Sequence, residues 1–159
     1  MSHLNENIEI INYSDNHKEY FKSLNLAWIE KFFWVEEFDE MLLSYPEKYI
    51  LNKGGFIYFA QHKEKIVGTV ALIKLDNGDF ELSKMAVTED AQGLGIGKLL
   101  IEHCISIAKK EKAQKLILYS NTILDTAIYL YRKYGFSEIK LEDSEYKRSN
   151  IKMEKRLSN

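Results

Sequence analysis

Gln92-Gly93-Leu94-Gly95-Ile96-Gly97-Lys98 stands between an apolar run that ends at Val87 and a stretch whose apolar residues recur at helical spacing. Upstream, Phe80-Glu81-Leu82-Ser83-Lys84-Met85-Ala86-Val87 reads as a strand. Downstream, Leu99, Leu100, His103, Cys104, Ile107 and Ala108 follow the i, i+3, i+4 template and predict a helix over about 97–112. The N–H groups that open a helix lack intrahelical acceptors and carry partial positive charge, which suits phosphate oxygens. Glycines at such a turn permit φ > 0 and remove the side chains that would hold a phosphate away from the backbone. Lys98 adds a mobile positive charge.

Three anion-binding patterns compete for this turn. A nucleotide P-loop has four residues between its first glycine and Gly-Lys, followed by Ser or Thr. Here three lie between Gly93 and Gly97, and Leu99 follows Lys98. The dinucleotide fingerprint is Gly-x-Gly-x-x-Gly in a βαβ opening, whereas this turn has Gly-x-Gly-x-Gly after a β-meander. The third pattern, Gln/Arg-x-x-Gly-x-Gly/Ala, is met in full by Gln92, Gly95 and Gly97.

Working outward, Ile8 to Tyr13 is short and β-branched and predicts a first strand. Tyr20, Leu24, Ala27, Trp28 and Phe32 recur near helical spacing within 16–33, and a second short helix over 37–44 stops before Pro46. Gly54-Gly55 breaks the chain. Strands over 56–62, 66–75 and 79–87 form the meander, separated by Lys63-Glu64-Lys65 and by Asp76-Asn77-Gly78, whose Asn-Gly pair is a hairpin signal. After the 97–112 helix come a strand over 115–120 and a helix over 123–134, with Thr122 as its cap and Gly135 just past its end. Strands over about 136–141 and 150–157 finish the sheet. This order predicts an α/β sandwich with a mixed, largely antiparallel sheet rather than a doubly wound one.

The 159 residues fit one domain spanning 1–159, and at 45% hydrophobic content they can build a core without disulfide or metal staples. Cys104 is the only cysteine, so neither an intrachain disulfide nor a cysteine-based zinc site can form, and no His/Asp/Glu cluster has metal spacing. A net charge of −2 argues against nucleic acid as a partner. No apolar run reaches the ~20 residues of a membrane helix, and the N-terminus has no signal pattern. The expectation is a soluble, cytoplasmic protein with no membrane partner; a homodimer is left open.

The chain resembles the GNAT superfamily, the general-control-type N-acetyltransferases. Three blocks carry the resemblance in the right order: Phe80 to Val87, similar to the family's fourth strand; Gln92 to Lys98, similar to its pyrophosphate loop; and Ala127-Ile128-Tyr129-Leu130-Tyr131-Arg132-Lys133-Tyr134-Gly135-Phe136, similar to its late Ala-x-x-Leu-Tyr-x-x-x-Gly-Phe helix. The resemblance implies a sheet of about seven strands flanked by about four helices, with a V-shaped splay between strands 4 and 5. It implies acetyl-CoA as cofactor and, as acceptor, a primary amine of a small molecule or an exposed amino group; because Cys104 falls on an apolar helix face, direct transfer in a ternary complex is expected rather than a covalent acyl-enzyme. Gln92, Gly93, Leu94, Gly95, Ile96, Gly97 and Lys98 would hold the pyrophosphate. The backbone of Met85, Ala86 and Val87 would line the pantetheine arm and offer an N–H to the acetyl oxygen.

By the same resemblance Tyr131 meets the departing thiolate, and Glu81 acts as base, directly or through water. Strand alternation puts Glu81, Ser83 and Met85 on one face. Asn121 is a candidate for the pantetheine amide, although relatives often place an Asn where Leu124 stands. Cys104 sits mid-helix on the apolar stripe, where cysteine behaves as a small hydrophobe, and His103 shares that face. The acceptor site falls to the first helices, where Trp28 and Trp34, with neighbouring carboxylates and with Glu81, suit a cationic amine. The alternative is a non-catalytic acyl-CoA-binding sensor or partner module.

Overall fold

A computed structural model describes residues 7–142 and 146–157. Strand β1 (Ile8–Asn12) opens the chain, followed by helices α1 (Lys18–Phe32), α2 (Glu37–Ser44) and α3 (Pro46–Tyr49). The meander β2 (Phe56–His62), β3 (Lys65–Lys74) and β4 (Phe80–Val87) leads to α4 (Ile96–Lys110). Then come β5 (Lys115–Ser120), α5 (Asp125–Lys133), β6 (Ser137–Ile139) and β7 (Ile151–Arg156). The seven strands make one sheet in the order β1-β2-β3-β4-β5-β7-β6, and β4–β5 is its single parallel pair.

Local chemistry explains most boundaries. The Lys63-Glu64 turn takes φ values of 49° and 68°, the left-handed pair that a two-residue hairpin needs. In the next turn, the Asn77 side-chain oxygen accepts the Asp79 N–H at 2.9 Å. Pro46 ends α2, as its sequence requires, and also opens α3, where its missing N–H costs no helical bond. The structure therefore has one more helix than expected. Thr122 does not cap α5, whose N-cap is Leu124. Its hydroxyl instead accepts the Asn150 amide at 3.0 Å, tying the loop after β5 to the segment entering β7.

Two cores sandwich the sheet. On one face Leu72, Leu82 and Leu116 pack with Leu100, Ile101 and Cys104 of α4; on the other Ile57 and Phe59 pack with Phe21 and Ile29 of α1 and Leu42 and Leu43 of α2. Each such buried side chain contributes about 1.5–3 kcal/mol against exposure. Both long helices are rotated from the stripes read in the sequence. In α1 the buried line is Phe21, Asn25 and Ile29, while Tyr20 and Phe32 are exposed. A polar Asn25 breaks the periodic signal there, yet it is satisfied by donating to the Phe21 carbonyl at 2.9 Å. In α4 Ile96 and Ile101 join the core, and Leu99, His103 and Ile107 sit half-buried at its edge.

Gly55, just before β2, has no room for a side chain: a Cβ there would lie 2.4 Å from the Leu72 carbonyl oxygen and 2.8 Å from that of Ile50. Both atoms are backbone and can yield only by moving β3 or the end of α3. Gly55→Ala should lower unfolding free energy by about 1–3 kcal/mol in urea denaturation. An unchanged midpoint would show that the β2 entry is not tightly constrained.

Candidate active site

β4 stays paired with β3 from Phe80 to Val87, but its parallel pairing with β5 stops after Phe80↔Leu116 and Glu81↔Ile117. β5 continues with β7 as far as Ser120↔Ile151. The two strands separate, and Leu82 to Met85 face Tyr119 to Asn121 across a slot of about 140 Å³. That volume resembles a cavity able to hold one benzene-sized molecule. Trp28, Ile29 and Phe33 wall it on one side, Leu124, Ala127 and Tyr131 on another, and Tyr146, Arg148 and Ser149 close the end near β7.

A bulge shapes the β4 wall. Between Thr69↔Ala86 and Ala71↔Ser83, β4 spends one residue more than β3. Lys84 takes the left-handed conformation there, with φ 55°. The bulge breaks alternation, so Met85 does not share the face of Glu81 and Ser83. It crosses to the side of Leu82 and packs against the α4 core.

Lys84 turns its side chain the other way, toward α2, where it is 2% exposed and ion-paired with the fully buried carboxylate of Asp39. Arg148 grips the same carboxylate with two bonds, Nη1 to Oδ2 at 2.5 Å and Nη2 to Oδ1 at 2.8 Å. Burial pushes the Asp39 carboxyl upward, but the Arg148 bonds and the Lys84 charge outweigh it and hold the group below its ordinary value. Burial draws the Lys84 ammonium down, against the opposing pull of Asp39. The Tyr146 ring carries both cations, Lys84 Nζ at 4.4 Å and Arg148 Cζ at 4.8 Å from its centroid. Glu36 completes the cluster by accepting the Lys147 and Arg148 backbone N–H groups at 2.8 and 3.1 Å.

The glycine turn lies between β4 and α4. Gly93 and Gly95 have φ of 89° and 80°, and Gly95 is the N-cap of α4. Glycine is needed there for conformation. Gly97 is different: its φ is not positive, and a Cβ would meet only Leu130 at an ordinary 3.7 Å. Neither backbone strain nor internal crowding accounts for that glycine. Gln92, Gly93 and Lys98 are exposed around the helix tip.

A family model described as an acetyltransferase (GNAT) domain matches residues 53–138, from β2 through this turn and slot to β6. The chain belongs to the GNAT family. It is similar to N-acetyltransferase 8B of Homo sapiens, 26% identical over 97 residues, which are 58% of this chain and 43% of that protein. It is also similar to YvbK, an uncharacterized N-acetyltransferase of Bacillus subtilis, 31% identical over 104 residues, or 64% and 67% of the two chains. The chain spans half the length or less of several curated relatives it matches. The crystal structure of a GNAT-family acetyltransferase from Staphylococcus aureus Mu50 superposes with a TM-score of 0.86 at 30% identity, covering 95% of this chain and 99% of that one. A GNAT acetyltransferase from Elizabethkingia anophelis, solved with acetyl-CoA bound, shares the fold with a TM-score of 0.64 at 22% identity, over 95% and 99% of the chains.

The GNAT slot gathers some of the residues singled out in the sequence and leaves others aside. Tyr131, Met85, Asn121 and Trp28 line it. Asn121 already donates to the Arg148 carbonyl at 2.7 Å and accepts the Ile123 N–H at 3.0 Å. Ala86 is buried, and Val87 borders a neighbouring surface depression that runs from Trp28 to Gln92. Glu81 is buried and does not line the slot. Trp34 is 58% exposed and does not line the slot. Cys104 is fully buried with its thiol pushed up by burial, and His103 packs edge-on to Tyr58 at 4.3 Å with its imidazole pushed down by burial. Among the described residues no His, Cys, Asp and Glu group could hold a metal, and no helix is long and apolar enough to cross a membrane.

Asp39, Lys84, Tyr146 and Arg148 were not legible as a unit, being scattered over α2, β4 and the segment before β7. The one local signal was a lysine inside the apolar run of β4. Replacing Asp39 by Asn leaves two buried cations without their carboxylate and should cost about 3–5 kcal/mol at neutral pH. The Asp39 carboxyl is lowered in the fold, so its contribution is present above the unfolded value of 3.8 and is lost as pH falls through the folded value. The stability gap between wild type and Asp39→Asn should therefore close in acid, measured by denaturation from pH 7 downward. A gap independent of pH would remove the carboxylate's charge from the account.

Proposed function

We propose that this GNAT protein transfers an acetyl group from acetyl-CoA directly to an amine within a ternary complex. The observation that carries the reading is the opening between β4 and β5, with the Tyr131 side chain on its wall and the glycine turn of α4 beside it. Acetyl-CoA supplies the activated thioester; everything else falls to residues of this chain. The residues fit such a ligand. Gly97, whose bareness the fold itself does not require, leaves the helix tip open to close approach, as a diphosphate on backbone N–H groups demands.

β4 leaves the backbone of the bulge without a β5 partner, so the Met85 N–H is the donor we assign to the oxygen that becomes negative during attack. Tyr131 is assigned to the departing sulfur. Burial, and secondarily Cys104, pushes its phenol up to about 12, far above an ordinary thiol near 8.5. Tyr131 therefore remains protonated at neutral pH and holds the sulfur by a hydrogen bond rather than surrendering its proton outright. For the amine proton, Ser83 and Tyr146 place hydroxyls 3.3 Å apart at the slot. Glu81, buried on the same face, is the group to which such hydroxyls or a water would pass it.

Two measurements test this reading. Acetyl-CoA should raise the melting temperature while NAD and ATP do not, because only the ligand that fits the native state stabilises it. Tyr131→Phe should lower kcat by about a hundred- to a thousandfold, the scale of losing one transition-state donor, with acetyl-CoA affinity little changed. A melting shift without thiol release on any amine would mark a sensor module instead. An unaltered kcat in Tyr131→Phe would remove Tyr131 from the chemistry.

A further inference from the structure

We infer that the amine accepted in this slot carries a carboxylate of its own, and that Arg148 holds it, braced by Lys84 through the Asp39 carboxylate they share. The inference rests on the acetyl-transfer reading and names the acceptor class within it. The first helices promised carboxylates for a cationic amine, but the folded protein uses those carboxylates internally. Asp39 is wholly buried between Lys84 and Arg148, and Glu36 is occupied by the Lys147 and Arg148 N–H groups and by Arg148 Nη1 at 3.3 Å. Among the described residues that line the slot, Lys84 and Arg148 are the only charged ones, and none is a carboxylate. A second ammonium on the acceptor would meet no carboxylate among those residues.

The donors left over have a shape. A guanidinium offers five N–H groups. Both Nη1 hydrogens and one Nη2 hydrogen of Arg148 go to Glu36 and Asp39. Among the described residues no acceptor takes the Nε hydrogen or the second Nη2 hydrogen, which lie side by side along one edge, the fork that matches the two oxygens of a carboxylate. Lys84, 2% exposed and ion-paired with Asp39, neutralises that carboxylate and braces Arg148 rather than reaching a ligand itself. Arg148 keeps part of its side chain open to the slot, so an acidic group entering there would meet these donors in place of water, as a charge-assisted pair. The Tyr146 ring beneath both cations holds them at the wall. Charge does not forbid the visitor: Lys84 and Arg148 balance Asp39 and Glu36, and Glu81, which lies on the same face, stays off the wall.

The test uses matched pairs, each an α-amino acid and the amine left when its carboxyl group is removed, assayed with acetyl-CoA for thiol release. The carboxylated member should have a kcat/KM at least about tenfold higher, the worth of one charge-assisted hydrogen bond. Arg148→Lys keeps the charge but loses the fork. It should collapse that ratio chiefly through KM, with a melting curve recorded beside it to show that the fold persists. Should Arg148→Lys fail to fold, the wild-type protein with coenzyme A still reports: the carboxylated member should raise its melting temperature more than the decarboxylated one, and equal shifts would overturn the inference. Equal or better turnover of the decarboxylated members by the wild-type protein overturns the inference while leaving acetyl transfer intact. No turnover with any member, despite an acetyl-CoA melting shift, overturns the transfer reading and this inference together.

Discussion

β4 cannot pair with β5 beyond Glu81, and the molecule is organised around that break. Strand β5 is held by six successive pairs to β7, and β4 by its long antiparallel ladder to β3. Once the two ladders diverge, backbone polar groups in the middle of a seven-stranded sheet lose their strand partner. Such groups are normally satisfied when buried, so an unpaired stretch at the centre of a sheet is a place for a ligand's own polar groups. The bulge at Lys84 widens the break and changes which side chains face it, sending Met85 to the α4 side and Lys84 to the α2 side.

The same bulge links the slot to the rest of the fold. A lysine in the left-handed region is held there by what its side chain meets: Asp39 from α2, with Arg148 from the segment before β7 on the other carboxylate oxygen. Three distant parts of the chain thus converge behind one wall of the opening. Buried ion pairs are poor sources of net stability, since desolvation offsets much of their attraction and apolar replacements often do as well. Lys84 in an otherwise apolar strand is better explained by the Asp39–Arg148 pair it helps to hold at the slot than by the stability it adds.

The sequence made the architecture plain because nearly every element had a local cause. The meander strands, the Asn77-Gly78 turn, the glycine turn before α4 and the strand that follows all fall within a residue or two of their expected places. Misreadings arose where tertiary packing overrode a local pattern. Asn25 interrupted the apolar phase of α1 although it is a satisfied core residue, and Pro46 was read as an end when it is also a beginning. Alternation failed at Met85 because a bulge leaves no mark in residue type. For the site, Tyr131 and the glycine turn were visible as motifs, whereas Asp39 and Arg148 stand 109 residues apart and acquire meaning only through each other.

The aromatic residues of the first helix show how the same composition can be read in opposite directions. Trp28, Trp34 and the acidic residues Glu36 and Glu37, taken as a string, describe a surface for a cation. Folding separates them: Trp28 goes to the slot, Trp34 to the outer surface, and Glu36 to the backbone of the segment before β7. What reaches the slot from the α2 side is not negative charge but the two cations that neutralise it. Recognition of an acceptor is governed by the donors that remain after a protein has satisfied its own buried groups, and at this wall the donors we propose for that role are N–H groups of Arg148.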